Sequence, residues 1–192
     1  TKYDVYGIGN AIVDKEFEVQ DSFLAEHGIE KGMMTLVDRD QQVFILDQLI
    51  KTYGLKKRAG GGSAANSLYA LSQFGGKAFY SCRVANDETG DFFLEGLGQQ
   101  NIETNTNSQR ADGLSGRCLV MVTPDAERTM QTYLGVSDDI SISEMDFESA
   151  KQSKIMYLEG YLVTSDSAKS AIIEMKEYAI ANNIKTAMTF SD

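Results

Sequence analysis

The chain has 192 residues, 42% of them hydrophobic, which is enough to bury one core and a small additional unit. Its 28 acidic and 18 basic side chains give a formal net charge of -10. A surface this negative repels nucleic-acid phosphates and anionic lipid headgroups, so we expect neither nucleic acid nor a membrane among the partners.

The cysteine content and the apolar runs bear on the cellular location. Cys82 and Cys118 both lie inside apolar, strand-like runs, which favours a reducing compartment and argues against a disulfide framework. No apolar run approaches the roughly 20 residues that a membrane-spanning helix needs. The opening segment TKYDVYGIGN lacks a charged leader followed by an apolar stretch. We therefore expect a cytoplasmic protein.

Apolar runs that end in glycine or alternate with polar residues predict strands along the whole chain. In chain order the predicted strands lie at 3–9, 15–20, 33–38, 78–84, 117–123, 128–135, 154–162 and 185–191. Apolar residues at helical spacing predict helices between them, at 38–53, 63–74, 87–97 and 165–183. Asp38 with Gln41, Ser63 and Asp87 are the predicted helix caps.

Strands that alternate with helices predict a parallel sheet covered on both faces. Four strands do not fit this alternation, and we expect them to form a separate small sheet that acts as a lid; they lie at 15–20, 33–38, 117–123 and 128–135. Because the chain stops just past a strand, we expect residues 1–192 to be the N-terminal part of one α/β domain.

The segment RAGGGSAANSLYALSQFGG (58–76) raises the question of why three glycines precede a helix. A Walker phosphate-binding pattern is absent, and GIGNAI (7–12) has Ile12 where a dinucleotide fingerprint needs its third glycine. Two interpretations stay open. Either the glycines form a tight connection, or they expose helix-start amides to an oxygen-rich ligand that Asn66 also contacts.

Several segments together resemble the ribokinase-like (PfkB) carbohydrate and nucleoside kinases. GGGSAANSLYALSQFGG followed by VANDETG resembles the first signature of that family, and GNAIVD, IEKGMMTLVD, PDAERTM and YLEGYL resemble further segments in the family's order. The resemblance implies a Rossmann-like three-layer α/β/α ribokinase-like fold with a small β-sheet lid. It also implies ATP-dependent phosphorylation, with Mg²⁺, of a primary hydroxyl of a nucleoside or sugar.

The resemblance also implies roles for particular residues. Substrate-binding roles fall on Asn10, Asp14, Gly61, Gly62, Ser63, Asn66, Met130 and Leu134. Asp14 would accept hydrogen bonds from two vicinal hydroxyls, and Arg128 would stabilise the charge of the transferred phosphoryl group. The alternatives are that Asp14 caps a turn, that Arg128 is an exposed hairpin charge, and that Met130 and Leu134 belong to the core. Glu159 is either a sugar contact or a solvent-facing residue.

The family's second signature, a D-T-x-G-A-G-D segment, does not occur in these residues, so we expect the general-base aspartate beyond Asp192 and no activity from the chain alone. IEKGMMTLVD, GNAIVD and the apolar lid residues Met33, Met34, Met130 and Leu134 favour an adenosine-like substrate. Ribose or fructose types of sugar, and a non-catalytic binding module, are the alternatives. We expect a monomer or a homodimer formed through the lid.

Overall fold

The computed structural model describes residues 1–105 and 110–190, and no helix within them is long and apolar enough to cross a bilayer. The strands are β1 Tyr3–Ile8, β2 Ile12–Glu18, β3 Met34–Leu36, β4 Lys57–Gly61, β5 Ala78–Ser81, β6 Glu103–Thr104, β7 Gly116–Val122, β8 Arg128–Tyr133, β9 Ser153–Leu158 and β10 Lys185–Met188. The helices are α1 Asp21–Glu26, α2 Arg39–Thr52, α3 Ser63–Gln73, α4 Glu88–Gln99, α5 Phe147–Lys151 and α6 Asp166–Ala181. Short 3-10 helices lie at Gly135–Asp139, Ile142–Glu144 and Gly160–Thr164.

The first sheet has the strand order β10-β9-β1-β5-β6, and every pairing in it is parallel. Side chains of alternating residues leave it on opposite faces, so Tyr6 and Ile8 pack towards α6 while Tyr80 packs with Leu68 of α3 and Phe93 of α4. The helices on both faces give three layers around a buried parallel sheet. Ligand crevices in such sheets lie beyond the carboxyl ends of the strands.

The second sheet has the order β3-β8-β7-β2-β4 and mixes parallel with antiparallel pairs. One of its faces carries Phe17, Leu119 and Met121, which pack against α1 and α2. Four of its strands overlap the segments expected to form a separate small sheet. The strand β4 was not predicted from the sequence, because KRAGG is polar and glycine-rich and carries no strand pattern.

Several predicted strands end earlier than the sequence pattern indicates, β8 and β9 among them. β8 stops at Tyr133, and Leu134 already has helical backbone angles ahead of the 3-10 turn, where Gly135 takes φ +56°. β9 stops at Leu158 because the carbonyl of Glu159 accepts the Leu162 N–H in the next turn. In both cases a local turn replaces the ladder hydrogen bonds that a longer strand would need.

Two of the predicted helix caps are confirmed. The Asp38 carboxylate accepts the Gln41 N–H, and the Gln41 side chain accepts the Asp38 N–H in return. The Asp87 carboxylate accepts the Gly90 N–H at 2.8 Å, and also the N–H and hydroxyl of Ser115 at 2.8 and 2.7 Å. Asp87 therefore joins the start of α4 to the residue that leads into β7.

These contacts predict that Asp87→Ala destabilises the fold more than an ordinary lost cap does. We expect a decrease of about 2–4 kcal/mol in the free energy of unfolding, since the cap and two further donors lose their acceptor. The matched control Asp38→Ala removes a cap at an exposed helix start and is expected to cost about 1 kcal/mol. Urea unfolding measures both losses, and equal losses would contradict the joining role of Asp87.

Candidate functional site

The turn between β4 and α3 packs closely against β2 and the residues just before it. A Cβ atom on Gly61 would lie 2.7 Å from the Asp14 Oδ1, and one on Gly62 would lie 2.9 Å from the carbonyl oxygen of Asn10. Gly62 also has φ +100°, a backbone conformation that residues other than glycine rarely adopt. Gly62 is therefore required by its backbone conformation and packing, and a side chain at position 61 would have to displace the Asp14 carboxylate, before any ligand is considered.

The first turn of α3 differs from the sequence-based expectation. The sequence predicts Ser63 as the helix cap, but Gly62 occupies the cap position and Ser63 is the first helical residue. The Ser63 Oγ is buried and has no hydrogen-bond partner among the described residues. The positive φ of Gly62 explains this change, because it lets the chain enter the helix one residue earlier than a serine cap would.

Two further polar side chains at this turn have no protein partner within residues 1–105 and 110–190. The Asp14 carboxylate is half-buried beside Gly61, and no hydrogen bond to it is made. Asn66 is exposed one turn into α3; its side chain forms no hydrogen bond with the described residues, and its backbone N–H donates to the Gly62 carbonyl at 2.9 Å. Together with Ser63, these groups offer donors and acceptors that the fold leaves unused.

The electrostatic environment of Asp14 is mixed. Burial raises the pKa of the Asp14 carboxyl, the Arg128 charge opposes that rise, and Glu16 adds to it. Arg128 is the first residue of β8, is exposed, and forms no ion pair with the described residues. A carboxylate in this position gains stability from hydroxyl donors that a ligand brings.

Strand register places Asp14 on the face of the second sheet that α1 and α2 do not cover. Asp14 pairs with Cys118 of β7, which pairs with Thr132 of β8. The neighbouring row runs from Glu16 to Val120 and Met130, and Met130 pairs with Met34 of β3. Because directly paired residues project on the same side, this open face combines a carboxylate with methionines.

Two of the apolar residues expected at the site lie apart from this pattern. Leu134 is half-buried but sits beyond the end of β8, so it does not continue the alternation of Met130 and Thr132. Met33 precedes β3 and is 49% exposed, whereas Met34 is its first residue. The structure therefore aligns Met34, Met130 and Arg128 with Asp14, and places Leu134 and Met33 at the margins.

Asn10 is turned inwards. It is 6% exposed, its Nδ2 donates to Glu159 at 3.1 Å, and its Oδ1 accepts the Ser137 hydroxyl at 3.1 Å. The contact of Asn10 with a substrate stays a prediction. Such a contact would have to use the second hydrogen of the Asn10 amide, which is not donated to Glu159.

Glu159 is 1% exposed, so the interpretation of this residue as solvent-facing is wrong. It follows directly after β9, at the carboxyl end of the parallel sheet. An acidic residue at the end of an apolar run is the signal in the sequence that could have pointed to it.

The described residues do not form a metal centre, since no group of three or more histidine, cysteine, aspartate and glutamate side chains among them could hold an ion. The acidic groups near the first turn of α3 are separate: Asp14 lies on β2, and Glu159 is enclosed behind Asn10. These residues therefore do not by themselves fit a site for a nucleotide with its divalent cation.

Comparison with known proteins gives consistent matches over the chain. A family model described as pfkB family carbohydrate kinase matches residues 31–192. The crystal structure of the adenosine kinase from Sinorhizobium meliloti matches with a TM-score of 0.88 and 38% identity, covering 100% of this chain and 57% of that one. A probable sugar kinase from Rhizobium etli CFN 42 matches with a TM-score of 0.89 and 33% identity at the same coverages, 100% and 57%.

Among curated proteins, the guanosine-inosine kinase of Escherichia coli K12 is 22% identical over 191 residues, which are 96% of this chain and 44% of that protein. The chain thus spans about half the length of the relatives it matches.

The packing of Asp14 on Gly61 predicts an energetic coupling between the two positions. Gly61→Ala is expected to lower the free energy of unfolding by about 1–3 kcal/mol, because the new Cβ overlaps the carboxylate. Adding Asp14→Ala should restore roughly 1 kcal/mol of that loss, since the overlap disappears. Urea unfolding of both single variants and the double variant gives this coupling.

Gly98→Ala is the matched control, because a Cβ at this position in α4 meets nothing within 4 Å. It should stabilise the protein by roughly 0.5–1 kcal/mol. Strictly additive losses at positions 14 and 61 would show that the close approach does not matter energetically.

Proposed function

The chain belongs to the pfkB family of carbohydrate kinases, and we propose that it forms the acceptor-binding half of a kinase that phosphorylates a primary hydroxyl of an adenosine-like nucleoside. The observation that carries this proposal is the set of unpartnered polar side chains around the first turn of α3: Asp14, Ser63 and Asn66. Buried polar groups are normally hydrogen-bonded, so the buried and unpartnered Ser63 Oγ, next to the unbonded side chains of Asp14 and Asn66, supports a ligand that completes the set.

A sugar ring with vicinal hydroxyls fits the chemistry of this set. The Asp14 carboxylate has lone pairs for two hydroxyl donors, and charge-assisted bonds of this kind are stronger than neutral ones. The Ser63 hydroxyl and the Asn66 amide each donate and accept, so they can bond to a third hydroxyl or to the ring oxygen. The α3 dipole favours oxygen atoms at the same place, although the Ala64 and Asn66 N–H groups of this turn are already bonded to Glu159 and Gly62.

The open face beside Asp14 favours a nucleoside over a free sugar. Met34 and Met130 are adjacent across β3 and β8, and unbranched methionines adapt to flat apolar surfaces such as a base. The 38% identity to a protein named adenosine kinase agrees with this choice. A sugar acceptor of the ribose or fructose type is the alternative, which the 33% identity to a probable sugar kinase favours.

Arg128 is proposed to stabilise the phosphoryl group during transfer, because it is exposed, lacks an ion pair among the described residues, and shares its sheet face with Asp14. Fixed positive charge where negative charge develops is a large contribution to phosphoryl transfer. In the proposed reaction ATP with Mg²⁺ supplies the phosphoryl group. We assign no residue of this chain to ATP, to Mg²⁺ or to the role of general base.

Both cysteines, Cys82 and Cys118, are free and buried thiols, which supports the proposal of a reducing, cytoplasmic location. Retention of the sugar pocket without catalysis, as in a binding module, is the alternative from a different class. A calorimetric titration of the chain with adenosine and a phosphate-transfer assay of the protein at its native length distinguish a binding module from a kinase.

Asp14 and Arg128 are predicted to affect different kinetic constants. Asp14→Asn should raise the KM for adenosine roughly 100-fold, because charge-assisted bonds to two hydroxyls are lost. Arg128→Ala should lower kcat roughly 100-fold with little change in KM, because its charge acts on the transferring group. Transfer of labelled phosphate to adenosine, guanosine, ribose and fructose measures both constants and the acceptor preference.

Arg39→Ala is the matched control for Arg128→Ala, since Arg39 is an exposed arginine at the start of α2. It should leave both constants unchanged. Phosphorylation of fructose or ribose without any transfer to nucleosides would reject the preferred acceptor, and an Asp14→Asn enzyme with normal KM would reject the site.

A further inference from the structure

Glu159 lies at the centre of a buried chain of hydrogen bonds that joins three distant parts of the sequence. Its Oε1 accepts the Asn10 Nδ2 at 3.1 Å, and its Oε2 accepts the Ala64 N–H at 3.1 Å. On the far side of Asn10, the Ser137 hydroxyl donates to Oδ1 at 3.1 Å and accepts the Ala11 N–H at 3.0 Å. No ion pair to Glu159 is formed within residues 1–105 and 110–190, so hydrogen bonds alone satisfy this buried carboxylate.

The hydrogen bonds of this network run in one direction. The N–H groups of Ala11 and Ala64 donate to Ser137 and Glu159, the Ser137 hydroxyl donates to the Asn10 Oδ1, and the Asn10 Nδ2 donates to Glu159. In this arrangement both Glu159 oxygens accept. The carboxylate anion meets this requirement, whereas an amide or a protonated carboxyl places a hydrogen against a donor.

The residues of this hydrogen-bond network also contact the glycine turn on both sides. The Asn10 carbonyl oxygen, which accepts the Tyr80 hydroxyl at 2.7 Å, packs against Gly62, and Ala64 directly follows Ser63. A Cβ on Gly9 would lie 2.5 Å from the Glu159 Oε2 and 2.4 Å from the Tyr80 hydroxyl, so only glycine fits there. The Glu159 carboxylate is therefore bonded directly to the residue that follows Ser63.

We propose that Glu159 is a positioning residue for acceptor binding: its carboxylate orients the Asn10 amide and seats the first turn of α3, so that a proton on Glu159 weakens binding of the acceptor. This inference rests on the proposed function, because the acceptor is taken to bind at that turn. Glu159 acts through Asn10 and Ala64 and touches no substrate atom itself.

The charge state of Glu159 changes within an accessible pH range. Burial raises the pKa of Glu159 to about 7, and the hydrogen bonds from Ala64 and Asn10 oppose that rise. The titratable groups that face it are Tyr80 of β5 and Cys82 just after it; burial raises the pKa of Tyr80 well above its ordinary value and that of Cys82 to about 12, so both stay neutral. Below about pH 7, Glu159 is therefore the group of these three that takes up a proton.

Protonation of Glu159 should affect binding and stability with opposite signs. The pKa of Glu159 is higher in the fold than the ordinary value of 4.5, so this group stabilises the folded state in acid and that stabilisation is lost as the pH rises through about 7. Acceptor affinity should instead fall as the pH drops below 7, since the Asn10 amide loses its acceptor. A purely structural role would move both quantities together.

The test is calorimetric binding of adenosine to the chain between pH 6 and 8.5, with urea unfolding at the same pH values. At pH 8, Glu159→Gln should bind adenosine roughly tenfold more weakly than the wild type, as expected for one broken buried hydrogen bond. The difference should nearly vanish at pH 6, where the wild type is itself protonated. Glu177→Gln, an exposed change on α6, is the control and should match the wild type throughout.

A second readout needs no ligand. The side-chain amide resonances of Asn10 in the NMR spectrum of the wild type should move with a midpoint near pH 7, and in Glu159→Gln they should be constant. If the wild type binds no adenosine at any pH, the proposed acceptor is wrong, and the Asn10 resonances alone decide whether Glu159 positions this amide. Equal adenosine affinity of wild type and Glu159→Gln at pH 8, or Asn10 resonances that ignore pH, would overturn the proposal.

Discussion

The close approach of Asp14 to Gly61 is the constraint on which the rest of the site depends. β4 belongs to the mixed sheet and α3 packs on the parallel sheet, so the turn at Gly62 is where the chain passes from one to the other. The Asp14 carboxylate fills the space that a side chain at Gly61 would take. The positive end of the α3 dipole and a carboxylate are thereby held side by side, at the carboxyl edge of the parallel sheet.

The two carboxylates of this region have different roles because their surroundings differ. Asp14 is half-buried, has no hydrogen-bond partner among the described residues, and lies within the field of Arg128. Glu159 is enclosed, and each of its oxygens has a protein donor. The first carboxylate therefore has unused acceptor capacity, while the second already accepts hydrogen bonds from Asn10 and Ala64.

Much of the fold could be predicted from the sequence. Apolar periodicity identified the layers, and the ribokinase-like α/β/α fold expected from the motifs is confirmed by the similarity to the Sinorhizobium meliloti adenosine kinase. The strand β4 could not be predicted, since its ladder depends on β2, more than forty residues away, rather than on its own residues. The bond between Asn10 and Glu159 spans 149 positions, and no local pattern reports such a contact.

The most direct measurement is a crystal structure of the protein with adenosine bound. The account predicts that the ribose lies on the first turn of α3, with two hydroxyls within hydrogen-bond distance of the Asp14 carboxylate and a further polar atom on Ser63 or Asn66. The base should contact Met34 and Met130. Adenosine bound elsewhere, or a ribose that leaves the Asp14 carboxylate without a hydroxyl partner, would contradict it.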